Sequence, residues 1–114
     1  MAASWAVTQD KVDAVIERIV EIVNPARVIV FGSAARAELH DDSDLDLLVV
    51  VSDEVPHPRR ESRRLRSALA DIRMPMDLLV ISERRLRELA DQPGLVYGEA
   101  VRHGKVVYES PAER

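Results

Sequence analysis

The 114-residue sequence contains no cysteine, which excludes a disulfide framework, a thiolate zinc site and a cysteine nucleophile, and fits a reducing compartment. Aromatic residues are scarce: one Trp, two Tyr and one Phe give no platform on which nucleic-acid bases could stack. Long apolar runs are also missing. The longest, Leu47 to Val51, is far too short to cross a bilayer. Met1 to Trp5 carries neither a basic start nor an apolar stretch of signal length. The three histidines, His40, His57 and His103, lie too far apart to form a local metal motif. Together these absences predict a soluble, cytoplasmic protein with no membrane association and no direct nucleic-acid binding.

What is present suffices for one domain over residues 1–114, with flexible tails expected at 1–7 and 110–114. Hydrophobic residues make up 46% of the chain, enough for a core. The net charge is −4, but the charges are segregated. Glu38 to Glu54 holds seven acidic residues and no Lys or Arg, whereas Arg59 to Arg87 holds nine arginines against four acids. This pattern predicts an acidic pocket beside a basic face.

Thr8 to Val23 has apolar residues at helical spacing (Val12, Val15, Ile16, Ile19, Val20, Val23), with Thr8 as cap and Asn24-Pro25 as stop. Arg27 to Phe31 reads as a buried strand, and Ser33 to Glu38 as a short helix. A polar turn from His40 to Ser43 leads into a second strand, Asp44 to Val51. Ser52 to Pro58 is a loop, Arg59 to Ile72 a helix, and Met76 to Ile81 a third strand. Ser82 caps a helix over Glu83 to Ala90. Pro93 suits the first turn of a last helix, Gly104 its end, and Lys105 to Tyr108 an edge strand. Alternation of this kind predicts an α/β (α+β) fold, a small mixed sheet with helices packed against it. The dozen or so residues between the first two strands allow antiparallel pairing, and a full helix between the second and third suits a parallel crossover.

Asp44 and Asp46 open an otherwise apolar strand, and residues two apart share a face. Two carboxylates held so close repel each other, and packing does not favour the arrangement. Mg²⁺ does favour it, because it takes oxygen ligands from one or two carboxylates plus substrate phosphates. Asp77 repeats the pattern at the start of the third strand, which would set it beside the other two if the strands are parallel neighbours. Three carboxylates can hold two metal ions for in-line phosphoryl or nucleotidyl displacement. Gly32 permits close backbone approach, Ser33 stands where a helix begins and can bind phosphate, and Arg36 follows one helical turn later.

Gly-Ser, ten residues, then Asp-x-Asp resembles the signature of the polymerase-β-like nucleotidyltransferases. The fuller form, Gly32-Ser33-Ala34-Ala35-Arg36 followed by Ser43-Asp44-Leu45-Asp46-Leu47-Leu48-Val49, is similar to the minimal nucleotidyltransferase (MNT) branch. With Asp, Gly and Ser each at roughly 5–7% of residues, four fixed positions recur by chance in about one such chain in a thousand. The resemblance implies a polymerase-β-like fold and transfer of a nucleoside monophosphate from an NTP, with ATP as substrate and Mg²⁺, two ions, as cofactor. It implies phosphate binding by Gly32 and Ser33 and metal binding by Asp44, Asp46 and Asp77, the last also helping to activate the acceptor hydroxyl. Ala37 departs from the pattern, which usually has Gly there, but removes no ligand. The branch commonly pairs with an all-helical HEPN ribonuclease toxin, which the MNT protein neutralises as antitoxin by adding AMP to a tyrosine.

Two further functions compete: an antitoxin that only masks the toxin, and a nucleotidyltransferase acting on a small molecule. The retained carboxylates argue against the first, and the lack of an acceptor-binding domain argues against the second unless the chain forms a homo-oligomer. Blander readings stand beside each residue. Asp44, Asp46 and Asp77 can be ordinary strand-start residues, Ser33 a simple N-cap, and Arg36 a salt-bridge partner. The arginines from Arg59 to Arg66 read first as a solvated helix, next as a partner surface and last as a nucleic-acid contact. Trp5, Phe31, Tyr97 and Tyr108 read as packing residues.

Overall fold

The computed structural model describes residues 8–32, 44–54 and 57–111. The short helix and turn expected over 33–43 lie outside these residues, as do Ser33, Arg36, Trp5, the tail expected at 1–7 and the last three residues of the tail expected at 110–114. Ser110 is tied to the sheet, its N–H donating to the Ala26 carbonyl at 2.9 Å.

Helix α1 spans Gln9–Val23. Thr8 is extended, and its hydroxyl accepts from the Lys11 N–H at 3.3 Å, satisfying one of the donors a helix start leaves free. Val12, Val15 and Ile19 recur at helical spacing and are buried. Asn24 ends the helix in the left-handed conformation (φ 47°), its N–H returning to the Val20 carbonyl. Asn tolerates that region better than most residues. Thr8→Ala should cost about 1 kcal/mol of stability, read in urea melts, while Thr8→Ser should melt with the parent. An unchanged Thr8→Ala midpoint would show that the cap contributes nothing.

The remaining elements are β1 Arg27–Phe31, β2 Leu45–Val51, α2 Pro58–Ala68, β3 Met76–Ser82, α3 Glu83–Ala90, α4 Val96–His103 and β4 Lys105–Glu109. The four strands form one mixed sheet in the order β3-β2-β1-β4. β1 is antiparallel to β2 and to β4, while β2 and β3 are parallel and joined through α2. The fold is thus the small mixed α/β sheet that the alternation predicts.

Strand periodicity divides the core into two layers. Val28, Val30, Leu45, Leu47, Val49, Val51 and Leu78 face α1 and α2, where Val15, Ile19, Leu65 and Leu69 meet them. Ile29, Phe31, Leu48, Val50 and Ile81 face α3 and α4, where Leu86 and Ala100 cover them. With helices on both faces, β1 and β2 read as nearly continuous apolar runs rather than alternating ones.

α2 starts one residue earlier than expected, at Pro58, and β3 and β4 each run one residue further, to Ser82 and Glu109; three other boundaries also differ. α2 stops at Ala68 rather than Ile72, because Arg18 of α1 donates to the Ala68 carbonyl at 2.9 Å and to Asp71. That contact closes the helix end and holds the Asp71 carboxyl below its ordinary range, while Ile72 still packs on the core. α4 begins at Val96, not Pro93: Gly94 takes φ +84° in the turn between, which no helix continues through. β2 begins at Leu45, leaving Asp44 just ahead of the strand. At the other end of α3, Ser82 caps it by accepting from Arg85 N–H (3.2 Å), and Asp53 accepts from Arg84 N–H at 2.8 Å.

Candidate active site

Among the described residues, α3 and α4 cover only part of the sheet's second face. Leu48, Val50 and Ile81 are buried, but one end of the same face carries Asp46, half-buried, and Asp77, exposed. This is the end where β1 finishes and β2 and β3 begin. Both aspartates share the face by alternation, two and four residues ahead of Leu48 and Val50, and of Leu79 and Ile81.

The register makes them neighbours. Asp46 pairs directly with Asp77 across the parallel β2–β3 ladder, and with Phe31 across the antiparallel β1–β2 ladder. Adjacent strands lie about 4.8 Å apart, so the two carboxylates project side by side. Asp44, exposed, sits two residues before Asp46 at the rim. The Leu45 N–H fixes this edge by donating to the Pro75 carbonyl at 3.0 Å. Buried Phe31 forms an apolar wall on the other side of Asp46.

Electrostatics report the crowding. Burial pushes the Asp46 carboxyl above its ordinary value, and the charges of Asp77 and Asp44 push it further the same way. Asp46 is therefore the carboxylate that most needs a counter-charge. Among the described residues no three His, Asp or Glu side chains close on one point as a finished metal cage. The arrangement is a carboxylate pair with a third carboxylate at its rim, open to solvent.

Gly32 belongs to the same site for a reason other than phosphate binding. It takes φ +73°, and a Cβ placed there would overlap the Asp46 carboxylate oxygen Oδ2. This orientation of the Asp46 carboxylate is therefore open because residue 32 has no side chain; a Cβ there would make the carboxylate turn. Of the six candidate residues, the structure brings together Gly32, Asp44, Asp46 and Asp77; Ser33 and Arg36 lie outside the described residues. Two contributors carry no signal in the sequence pattern. Phe31 reads there as generic core, and Arg66 as one of a cluster, yet Arg66 donates to the Leu78 carbonyl at 2.9 Å and blocks the outer edge of β3 next to Asp77. The strand register reveals Phe31, and the hydrogen bond to the Leu78 carbonyl reveals Arg66.

A concavity of about 670 Å³ lies on the opposite face, between α1 and β4, where Val30, Leu45 and Val107 line it. It has no part in the carboxylate cluster. Among the described residues no helix is long and apolar enough to cross a membrane.

The profile of the family described as "Polymerase beta, Nucleotidyltransferase" matches residues 13–113. No curated relative matches in sequence. Among solved structures, a protein from Sulfolobus solfataricus assigned as a nucleotidyltransferase superposes with a TM-score of 0.60 at 20% identity, covering 88% of this chain and 78% of that one. A toxin–antitoxin complex, MntA–HepT, carrying two Asp→Glu changes superposes with a TM-score of 0.53 at 17% identity, covering 94% of this chain and 77% of that one. A toxin–antitoxin structure with AMP-PNP gives the same TM-score and coverage at 20% identity. At these identities the structural likeness establishes the fold.

Proposed function

Because the chain belongs to the polymerase β nucleotidyltransferase family, we propose that it transfers AMP from ATP to a protein hydroxyl, a tyrosine of a helical HEPN ribonuclease toxin, and acts as that toxin's antitoxin. The observation that carries this reading is the Asp46–Asp77 pairing across β2 and β3, with Asp44 at the rim, at the end of the sheet where β2 and β3 begin. The two toxin–antitoxin structures that share the fold, one of them with AMP-PNP, support a protein acceptor and an adenine nucleotide.

The donor set fits Mg²⁺: three hard carboxylate oxygens donors in a solvent-open arrangement that leaves coordination positions for phosphate and water. Asp44, Asp46 and Asp77 would hold the ions. When bound, they supply positive charge against the charge that develops on the transferred phosphoryl group. Gly32 and Ser33 bind the triphosphate, Gly32 through its open backbone and Ser33 through its hydroxyl and N–H, with Arg36 as a further phosphate contact. Asp77, the most exposed member of the pair, takes the proton of the acceptor hydroxyl. The acceptor oxygen then bonds to the α-phosphorus, the bond to the β-phosphate oxygen breaks, and pyrophosphate leaves.

The decisive experiment incubates the chain with α-labelled ATP, Mg²⁺ and a HEPN-type helical toxin offered as its partner. Label should appear on a tyrosine of that partner. Neutralisation of the partner without label, and undiminished by Asp46→Asn, would replace transfer with simple masking.

A binding assay tests the site without any acceptor. Mg²⁺ and ATP should each raise the melting temperature slightly and together raise it more, since the phosphates complete the metal's coordination. Ser33→Ala should shrink the joint shift. A parent-sized shift in Asp46→Asn would put ATP elsewhere on the molecule.

A further inference from the structure

We propose that the cleft between the start of α2 and α3, at the outer edge of β3, docks an acidic protein surface. The cleft encloses about 570 Å³, and its lining includes His57, Arg59, Ile81, Arg85, Leu89 and Tyr97. It lies at the far end of β3 from the carboxylates: Asp77 and Ile81 are four residues apart on one strand, about 13 Å. The proposal stands whether or not the carboxylate site transfers nucleotides.

Charge is the first observation. Several arginines have structural partners: Arg18 bonds Asp71, Arg27 bonds Glu83, Arg64 bonds Glu61, Arg66 bonds Leu78 and Arg85 bonds Glu88. Five more on α2 and α3, namely Arg59, Arg60, Arg63, Arg84 and Arg87, are exposed and have no side-chain partner among the described residues. The three acids on these helices, Glu61, Glu83 and Glu88, are already engaged. The helices flanking the β3 edge therefore carry a surplus of arginine that the fold does not use.

Chemistry is the second. Leu95 and Val96, the two residues before Tyr97, are 38% and 39% exposed, and the cleft floor is Ile81 and Leu89. Arginine with tyrosine and exposed aliphatic residues is the composition of a protein interface. A single-stranded nucleic acid would want a run of stacking rings, and among the described residues this cleft offers Tyr97 and the His57 imidazole alone. Arg59 at the start of α2 and Arg85 on α3 both line the cleft; Arg59 has no side-chain partner among the described residues, and the exposed Arg85, paired with Glu88 through one nitrogen, keeps further N–H donors for a partner carboxylate.

The test is a ¹⁵N NMR titration of the full chain with a peptide of Glu-Glu-Leu repeats and, separately, with oligouridylate of similar length, each at low and at high salt. The peptide should shift the amides of His57 and Arg59 and those at 82–89 and 95–97, and bind more weakly at high salt. Arg59→Gln with Arg85→Gln, both at exposed positions, should weaken it by at least about tenfold while the melting temperature and the joint Mg²⁺–ATP shift stay at parent values. Loss of that joint shift from the parent itself would count against nucleotide transfer alone. Peptide shifts elsewhere, no binding, or undiminished binding by the double variant would overturn the proposal. Tighter binding of oligouridylate at the same amides would overturn it in favour of a nucleic-acid site.

Discussion

Asp46→Asn should abolish transfer, by at least about a hundredfold, the scale on which losing one electrostatic stabiliser of a transition state is felt, while melting no lower than the parent in metal-free buffer near neutral pH. Both halves follow from the same geometry. Asp46 lies between Asp77, its partner across the ladder, and Asp44, two residues back, and burial with both charges raises its pKa. A carboxyl whose pKa is raised by folding binds its proton more readily in the folded than in the unfolded state. Its contribution to stability is fully present below the ordinary carboxylate pKa and is lost as pH rises through the folded value. At neutral pH the parent therefore carries an unfavourable charge that asparagine removes. The stability advantage of Asp46→Asn should shrink as the buffer is acidified, because the parent's Asp46 then becomes neutral as well. Mg²⁺ should narrow the gap from the other side by stabilising the parent alone. Matched melting and label-transfer measurements on the two proteins read all of this. Activity within threefold of the parent, or a variant less stable at neutral pH than at acid pH relative to it, would remove Asp46 from the metal site.

How far the site was readable in the sequence depends on which kind of information each residue needs. The i, i+2 spacing of Asp44 and Asp46 is local, and strand alternation alone puts them on one face. Asp77 lies thirty-one positions beyond Asp46, and only the parallel neighbour relation of β2 and β3 brings it alongside. The helix between the strands made that pairing the natural expectation. The order of the strands, with β4 beside β1, follows from no spacing rule. Periodicity extends α2 too far because Ile72 continues the apolar stripe of Leu65 and Leu69; the chain leaves the helix after Ala68 yet still packs that half-buried residue on the core. What ends it is a side chain from α1, Arg18, fifty positions away from the carbonyl it caps. Periodicity reports which residues are buried, not whether the backbone beneath them is still helical.

Gly32 is where the sequence and the structure give different reasons for the same residue, and Gly32→Ala separates them. Phosphate binding asks for an open backbone, which alanine would only partly obstruct. The structure asks for more: φ is +73°, and the added Cβ would overlap the Oδ2 of Asp46. A left-handed conformation costs an L-residue about 1–2 kcal/mol, so the variant should melt below the parent even where nothing touches the new methyl group. The overlap adds a second effect. Asp46 Oδ2 is the far end of a rotatable side chain, and the cheapest relief is to turn that carboxylate away. Gly32→Ala should therefore lose transfer almost as completely as Asp46→Asn, although every carboxylate remains in the sequence. A double-mutant cycle divides the two effects. In an Asp46→Ala background the added methyl meets no carboxylate, so Gly32→Ala should there cost only the backbone strain. Its effect in the parent should be equal to or greater than that. If Gly32→Ala melts with the parent and binds Mg²⁺–ATP normally, residue 32 does not position Asp46. If it keeps the Mg²⁺–ATP shift but loses transfer, the carboxylate has stayed in place, and the loss lies in how the α-phosphate is presented.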